Sequence, residues 1–124
     1  RMLGLWMFFY ACCHITIYVW LDFAFLWADI VKDIAKHPRI LVGFAAFVLT
    51  IPLASTSNQA MMKRLGQHWK PLHQSVYVIA ILSIVHFWWL VKIDIREPMF
   101  YAVVLAILLG IRIYYHFKLK HKIK

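Results

Sequence analysis

Four stretches of this chain are long and apolar enough that a lipid bilayer is the environment they fit. Crossing roughly 30 Å of hydrocarbon takes about 20 apolar residues as a helix. Residues 3–27, 40–57, 72–91 and 99–117 each approach that length with scarcely a charge among them. A soluble core offers no alternative: with 64% hydrophobic and 15% charged residues in 124, too much apolar surface would remain in water. The sequence therefore predicts an all-α, polytopic transmembrane helix bundle with four spans, forming one domain over residues 1–124. Pro38, Pro71 and Pro98 sit just before three of the span starts, where a missing N–H costs a helix little. Pro52 lies inside the second span and is expected to bend it. The six tryptophans fall mostly near span ends, as an interfacial aromatic belt requires. The chain opens on Arg1 and enters an apolar run two residues later, so it is read as a piece of a longer protein, with no signal-peptide pattern.

A net charge of +9 raises the question of nucleic acid. The bases flank lipid-length runs and form no polar face interleaved with stacking aromatics, so no nucleic-acid partner is expected and the bilayer itself is. Membrane orientation accounts for the bases instead. One side carries Arg1, Lys63, Arg64, Lys70, Arg112, Lys118, Lys120, Lys122 and Lys124 without any acid. The other carries Lys32, Lys36, Arg39, Lys92 and Arg96 together with every acid in the chain, Asp22, Asp29, Asp33, Asp94 and Glu97. The first side is expected to be cytoplasmic, which places both ends of this chain inside.

Histidines carry what chemistry the sequence shows. His37, His68, His116 and His121 fall in loops or the basic tail and are assigned no role. His14, His73 and His86 fall within spans, where an ionisable side chain is costly unless it faces the bundle interior with a partner. His73 and His86 are 13 residues apart, a rise of roughly 20 Å, so they lie near opposite faces of the bilayer. His14, past mid-depth in its own span, comes nearer the level of His86. Those two imidazoles could serve one haem iron from opposite sides, leaving His73 for a second site. On a straight helix, however, His73 and His86 stand about 140° apart in azimuth. Single buried histidines also serve as neutral interhelical contacts, and that reading stays open for each.

Other sites fit less well. Zinc asks for a compact tetrahedral set, and these histidines are too dispersed. Cys12 and Cys13 precede His14 as "CCH", without the Cys-x-x-Cys-His spacing of covalent haem attachment, and are read as buried apolar thiols. Asp22 is expected to reach the interface or a ligand imidazole, and Arg112 to snorkel to the inner surface. No phosphate loop, nucleophile triad or paired carboxylates appear, and no catalytic residue is assigned.

"LGLWMFFYACCHITIY", "STSNQAMMKRLGQHWKPLHQSVYVIAILSIVHFWWLVK" and the short basic tail together resemble the haem-binding subunits of the bacterial periplasmic methionine-sulfoxide reductase system. These belong with the ferric-reductase-like transmembrane domains. The resemblance covers essentially the whole chain and is most specific over residues 55–92. It implies that His14, His73 and His86 are axial ligands of haem b, one haem or two. It implies an electron-transfer subunit, not itself the substrate-reducing catalyst, in the bacterial inner membrane. A cytoplasmic flavin reductase or the quinol pool would donate, and a periplasmic molybdopterin-containing methionine-sulfoxide reductase subunit that repairs oxidised proteins would accept. FMN is associated with the family, although no residue here is assigned to it. Complete members have further spans before this region. The wider oxidase group carries another ligand one bilayer-depth before the first, at a position falling just before Arg1, so His73 would need a partner from elsewhere. A proton-coupled transporter using intramembrane histidines, or a structural assembly subunit, are the alternatives. The outer segments "ADIVKDIAKHPR" and "KIDIREP" are the expected docking surfaces for the periplasmic partner.

Overall fold

The structure is a computed structural model that describes residues 1–91 and 94–122, with the backbone alone for 119–122. Lys92 and Lys124 therefore lie outside the described residues, as do the side chains of Lys120, His121 and Lys122. Helices and short turns make up everything described, without a strand. They are α1 (Met2–Ile17), continued by a π-helical turn Tyr18–Asp22, then α2 (Trp27–Lys36), α3 (Pro38–Ser55), α4 (Gln59–Leu65), a 3-10 turn Gly66–His68, α5 (Trp69–Gln74), α6 (Val76–Leu90) and α7 (Arg96–Lys122). Four helical runs are long and apolar enough to cross a membrane: Met2–Asp22, Pro38–Ser55, Gln59–Leu90 and Arg96–Lys118. Two compact units divide the chain, residues 1–86 and 87–124.

In the first unit the hydrophobic side chains withdrawn from the surface are few, Ile30, Ala46, Leu53 and Ile79. Leu3, Trp6, Phe9, Tyr10 and Leu41 stay exposed along the helices. In water such a surface would drive aggregation; in hydrocarbon it costs nothing, and each helix satisfies its own backbone. α3 is the packing centre, because its buried residues Ala46, Thr50 and Leu53 recur at helical spacing on one face. It packs against α1 and α2. Phe8 of α1 stacks on Phe47 of α3, ring centres 6.2 Å apart. Thr50, although polar and buried, donates to the Phe47 carbonyl at 2.6 Å, so it adds no unpaired group. α3 also runs on through Pro52 to Ser55. The hydroxyls of Ser55, Thr56 and Ser57 donate to the carbonyls of Ile51, Pro52 and Leu53, three or four residues back over the end of the helix.

Three expectations about the spans change. The first is not one helix to residue 27. It stops after the π turn, where Ala24 and Phe25 take left-handed φ values of 44° and 64°. Most of the outer segment "ADIVKDIAKHPR", expected to connect two spans, belongs instead to amphipathic α2, with Ile30 buried and Trp27 and Val31 exposed. Asp29 lies in its first turn and Lys36 in its last, both favourable to the helix dipole. Residues 59–70, read as a connecting loop, are helical too. Asn58 caps α4 by accepting the Met61 N–H at 2.7 Å. Cys12 is only half-buried and Cys13 exposed, against the expectation of two buried thiols.

In the second unit, Asp94 accepts the Arg96 N–H at 3.0 Å at the start of α7. Pro98 sits in that helix's first turn, where no N–H is needed. Phe87 and Tyr101 meet edge to face at 6.1 Å.

Gly66 ends α4 at φ 50°, ψ −120°, a conformation that a side chain strains. Gly66→Ala is expected to lower stability by about 1–3 kcal/mol, read by thermal unfolding in detergent. Gly4→Ala and Gly110→Ala, with nothing within 4 Å of the added Cβ, should not be destabilising. Equal effects at all three would contradict this account of the turn.

Candidate functional site

His86 lies in the penultimate turn of α6, and its ring rests on the backbone of α3. Nδ1 is 2.7 Å from the Arg39 carbonyl, a contact between residues 47 apart in sequence. A carbonyl only accepts, so Nδ1 carries the hydrogen and Nε2 keeps its lone pair. Gly43 makes that approach feasible: a Cβ there would fall 2.5 Å from Cε1 and Nδ1 and 2.9 Å from Nε2. Gly43 is set one turn before Ala46 on the packed face of α3.

His14, on α1, faces His86. Their ring centres are 6.4 Å apart, with the planes 79° from parallel. Two imidazoles bonded to one metal from opposite sides, each at about 2 Å, place their ring centres about 6 Å apart. α1 packs on α3 and makes no extended contact with α6, so side chains and not backbones bridge that interval.

His73 stands apart from this pair, in α5. Its ring stacks on Trp69, with centres 4.0 Å apart and planes at 24°. Nδ1 lies 3.2 Å from the Trp69 carbonyl, and the Trp69 indole N–H donates to the Thr56 carbonyl at 3.0 Å. Nε2 is buried without a hydrogen-bond partner among the described residues. Leaving a buried nitrogen bare costs about 1–3 kcal/mol, so it marks a place where a ligand or metal would be welcome. Between His73 and His86 the helix is interrupted at Ser75, whose N–H reaches Leu72 three residues back. The tighter turn rotates the chain further per residue, which reduces the azimuthal offset expected of a straight helix.

This donor set suits a metal that arrives in its own planar ligand and asks the protein only for axial nitrogens. A bare tetrahedral ion would need more, and no group of three or more His, Cys, Asp or Glu able to hold one occurs among the described residues. His14, His73 and His86 can thus supply axial imidazoles of the kind haem uses. Asp22, exposed at the end of the π turn, does not serve the imidazole of His86, which bonds a backbone carbonyl instead.

A second polar cluster was not anticipated. Tyr18 donates its hydroxyl to Asp33 Oδ2 at 2.7 Å, and His37 Nδ1 lies 2.8 Å from Asp33 Oδ1. The Asp33 and His37 spacing of four on one helix face was a usable signal; Tyr18, fifteen residues away, offered none. The cluster ties the end of the first apolar run to α2. It also occupies Asp33, leaving Asp29, Lys32 and Lys36 as the exposed charges of that helix, Asp29 and Lys32 being 3.7 Å apart.

Comparison with known proteins gives a consistent picture. A family profile described as "Ferric reductase like transmembrane component" matches residues 1–84. The chain is 54% identical over 114 residues to the "Protein-methionine-sulfoxide reductase heme-binding subunit MsrQ" of Xanthomonas campestris pv. campestris (strain B100), covering 92% of this chain and 52% of the relative. The protein of that name from Xanthomonas axonopodis pv. citri (strain 306) is 53% identical with the same coverage. Its counterpart from Herminiimonas arsenicoxydans is 47% identical over 125 residues, covering 98% of this chain and 57% of the relative. The chain spans about half the length of the curated relatives it matches. No solved structure gives a significant match.

Tyr18→Phe and His37→Ala are each expected to lower stability by about 1–2 kcal/mol, because each strips a partner from Asp33. Thermal unfolding of the two single variants and the double variant should show them to be coupled; strict additivity would mean that Asp33 does not link them.

Proposed function

The chain belongs to the ferric-reductase-like transmembrane component family, and on that premise we propose that it forms the haem-bearing part of a membrane electron-transfer subunit. It is a multi-pass membrane protein with four apolar helices. The observation that carries the proposal is the facing pair His14 and His86, whose 6.4 Å ring spacing matches two imidazoles on one iron. Haem b, when bound there, supplies a one-electron couple. The protein's residues would hold and orient it, the Arg39 carbonyl leaving His86 Nε2 as the ligand nitrogen. His73, with its bare buried Nε2, would supply a ligand to a second haem.

By orientation of the basic residues, His73 lies towards the cytoplasm and the His14 and His86 pair towards the periplasm of the bacterial inner membrane, with both ends of this chain inside. Electrons then enter from a cytoplasmic flavin reductase or from quinol. They leave to a periplasmic molybdopterin-containing methionine-sulfoxide reductase subunit; the relatives' name supports the link to a protein-methionine-sulfoxide reductase. FMN is supported by the family resemblance alone. A purely structural role draws support from one observation, since the bond from His86 to Arg39 also ties α6 to α3. The transporter reading loses its one mid-depth hydroxyl on α3, because Thr50 is bonded within its own helix.

Reduced-minus-oxidised visible spectra and haem content of the purified full-length protein decide between these readings. Bis-imidazole b-type bands are expected, falling together in His14→Ala and His86→Ala and independently in His73→Ala. Protein made with ample haem yet lacking such bands would leave the histidines as interhelical contacts and end the proposal. Docking is tested separately. Charge reversal at Asp29, or at Asp94 and Glu97, should slow electron delivery to the periplasmic partner while haem content holds. Asp33 is excluded because Tyr18 and His37 already hold it. Unchanged, salt-insensitive transfer would remove these surfaces from consideration.

A further inference from the structure

Nothing in the sequence distinguishes Gly43 from other small residues of the second span, yet it faces the imidazole that the haem reading depends on. Of the three helical glycines, Gly4 and Gly110 have open space where a Cβ would stand, whereas Gly43 has the ring of His86. A Cβ at Gly43 would meet three ring atoms at 2.5, 2.5 and 2.9 Å, where ordinary contact begins near 3.4 Å. Something has to move by nearly an ångström, and the surroundings decide what. α3 cannot easily retreat: one and two turns further on, the same helix face is held by Ala46 and Thr50, both buried. The backbone of Gly43 also belongs to the turn whose Arg39 carbonyl receives the His86 hydrogen. The ring itself is the part free to swing.

We propose that Gly43 is a positioning residue for His86. By bringing the α3 backbone against the imidazole, it keeps Nδ1 on the Arg39 carbonyl and Nε2 directed at the position of the iron. The inference rests on the haem reading above and deepens it. Catalytic and electron-carrying geometries tolerate about 0.5 Å of misplacement, less than the displacement a methyl group at this position demands. A swing of the ring would also stretch the 2.7 Å bond that fixes the tautomer. Gly43 thus acts through His86 and touches no cofactor in this account.

The test uses the full-length protein, loaded with haem, in four forms: wild type, Gly43→Ala, His86→Gly, and His86→Gly with Gly43→Ala. The two His86→Gly forms are supplied with free imidazole, which can occupy the vacated ligand position without a tether. Haem affinity and the low-spin electron paramagnetic resonance signal are read in each. In the His86 background, Gly43→Ala should weaken haem binding about tenfold or more and shift or broaden the low-spin signal. In the imidazole-rescued background the same substitution should do little, because an untethered ring can move away from the added methyl. An equal loss in both backgrounds would show that Gly43→Ala merely disturbs α3, and no loss in either would show that the ring is not seated there; each overturns the proposal. Failure of imidazole to restore the signal in His86→Gly would remove His86 as a ligand and overturn it as well. Absence of haem from the wild type would instead be the failure of the haem reading itself, and is seen before any variant is made.

Discussion

In hydrocarbon a backbone carbonyl has no water to turn to, so each helix must satisfy its own hydrogen bonds. Several carbonyls also accept a side-chain donor, and three of them lie at the candidate site. The Arg39 carbonyl receives His86, the Trp69 carbonyl receives His73, and the Thr56 carbonyl receives the indole that stacks on His73. Arg39 and Trp69 lie in the first turns of α3 and α5, so their carbonyls take the side chain on a second lone pair, whereas Thr56 lies just beyond α3, where the ladder leaves its carbonyl free. A histidine held this way keeps one nitrogen protonated and offers the other, which is the state an axial ligand needs.

The same economy explains why α3 anchors the first unit. Its packed face carries small or self-bonded residues, Gly43, Ala46 and Thr50, so neighbouring groups approach its backbone closely. α1 uses that closeness through Phe8 on Phe47, and α6 uses it through His86 on Gly43. One helix thereby sets the relation between the two that carry His14 and His86. Pairing those histidines does not require α1 and α6 to pack on each other, and they make no extended contact.

How much of this the sequence shows follows from the range over which each cause acts. Hydropathy and length locate the four apolar runs, because lipid solvation is a sum over many residues. Rise per residue suffices to bring His14 to the level of His86, and their rings lie 6.4 Å apart. Breaks within apolar sequence escape that ruler. "FAFLW" looks like more span, but Ala24 and Phe25 turn left-handed and end it. The helix over residues 59–65 was signalled by Asn58 at its cap, a local cue that a search for connections between spans passes over. Gly43 and Tyr18 could not be singled out in advance, since their partners stand 43 and 15 residues away and only the packing of α3 and α2 brings them near.

The central claim is that one iron sits between His14 and His86, with His86 held by α3. It is tested most directly by measuring the iron-to-nitrogen distances in an experimental structure of the haem-loaded full-length protein. The account predicts about 2 Å to Nε2 of both histidines, with His86 Nδ1 still bonded to the Arg39 carbonyl. An iron ligated by a different pair, or His86 bound through Nδ1, would contradict it.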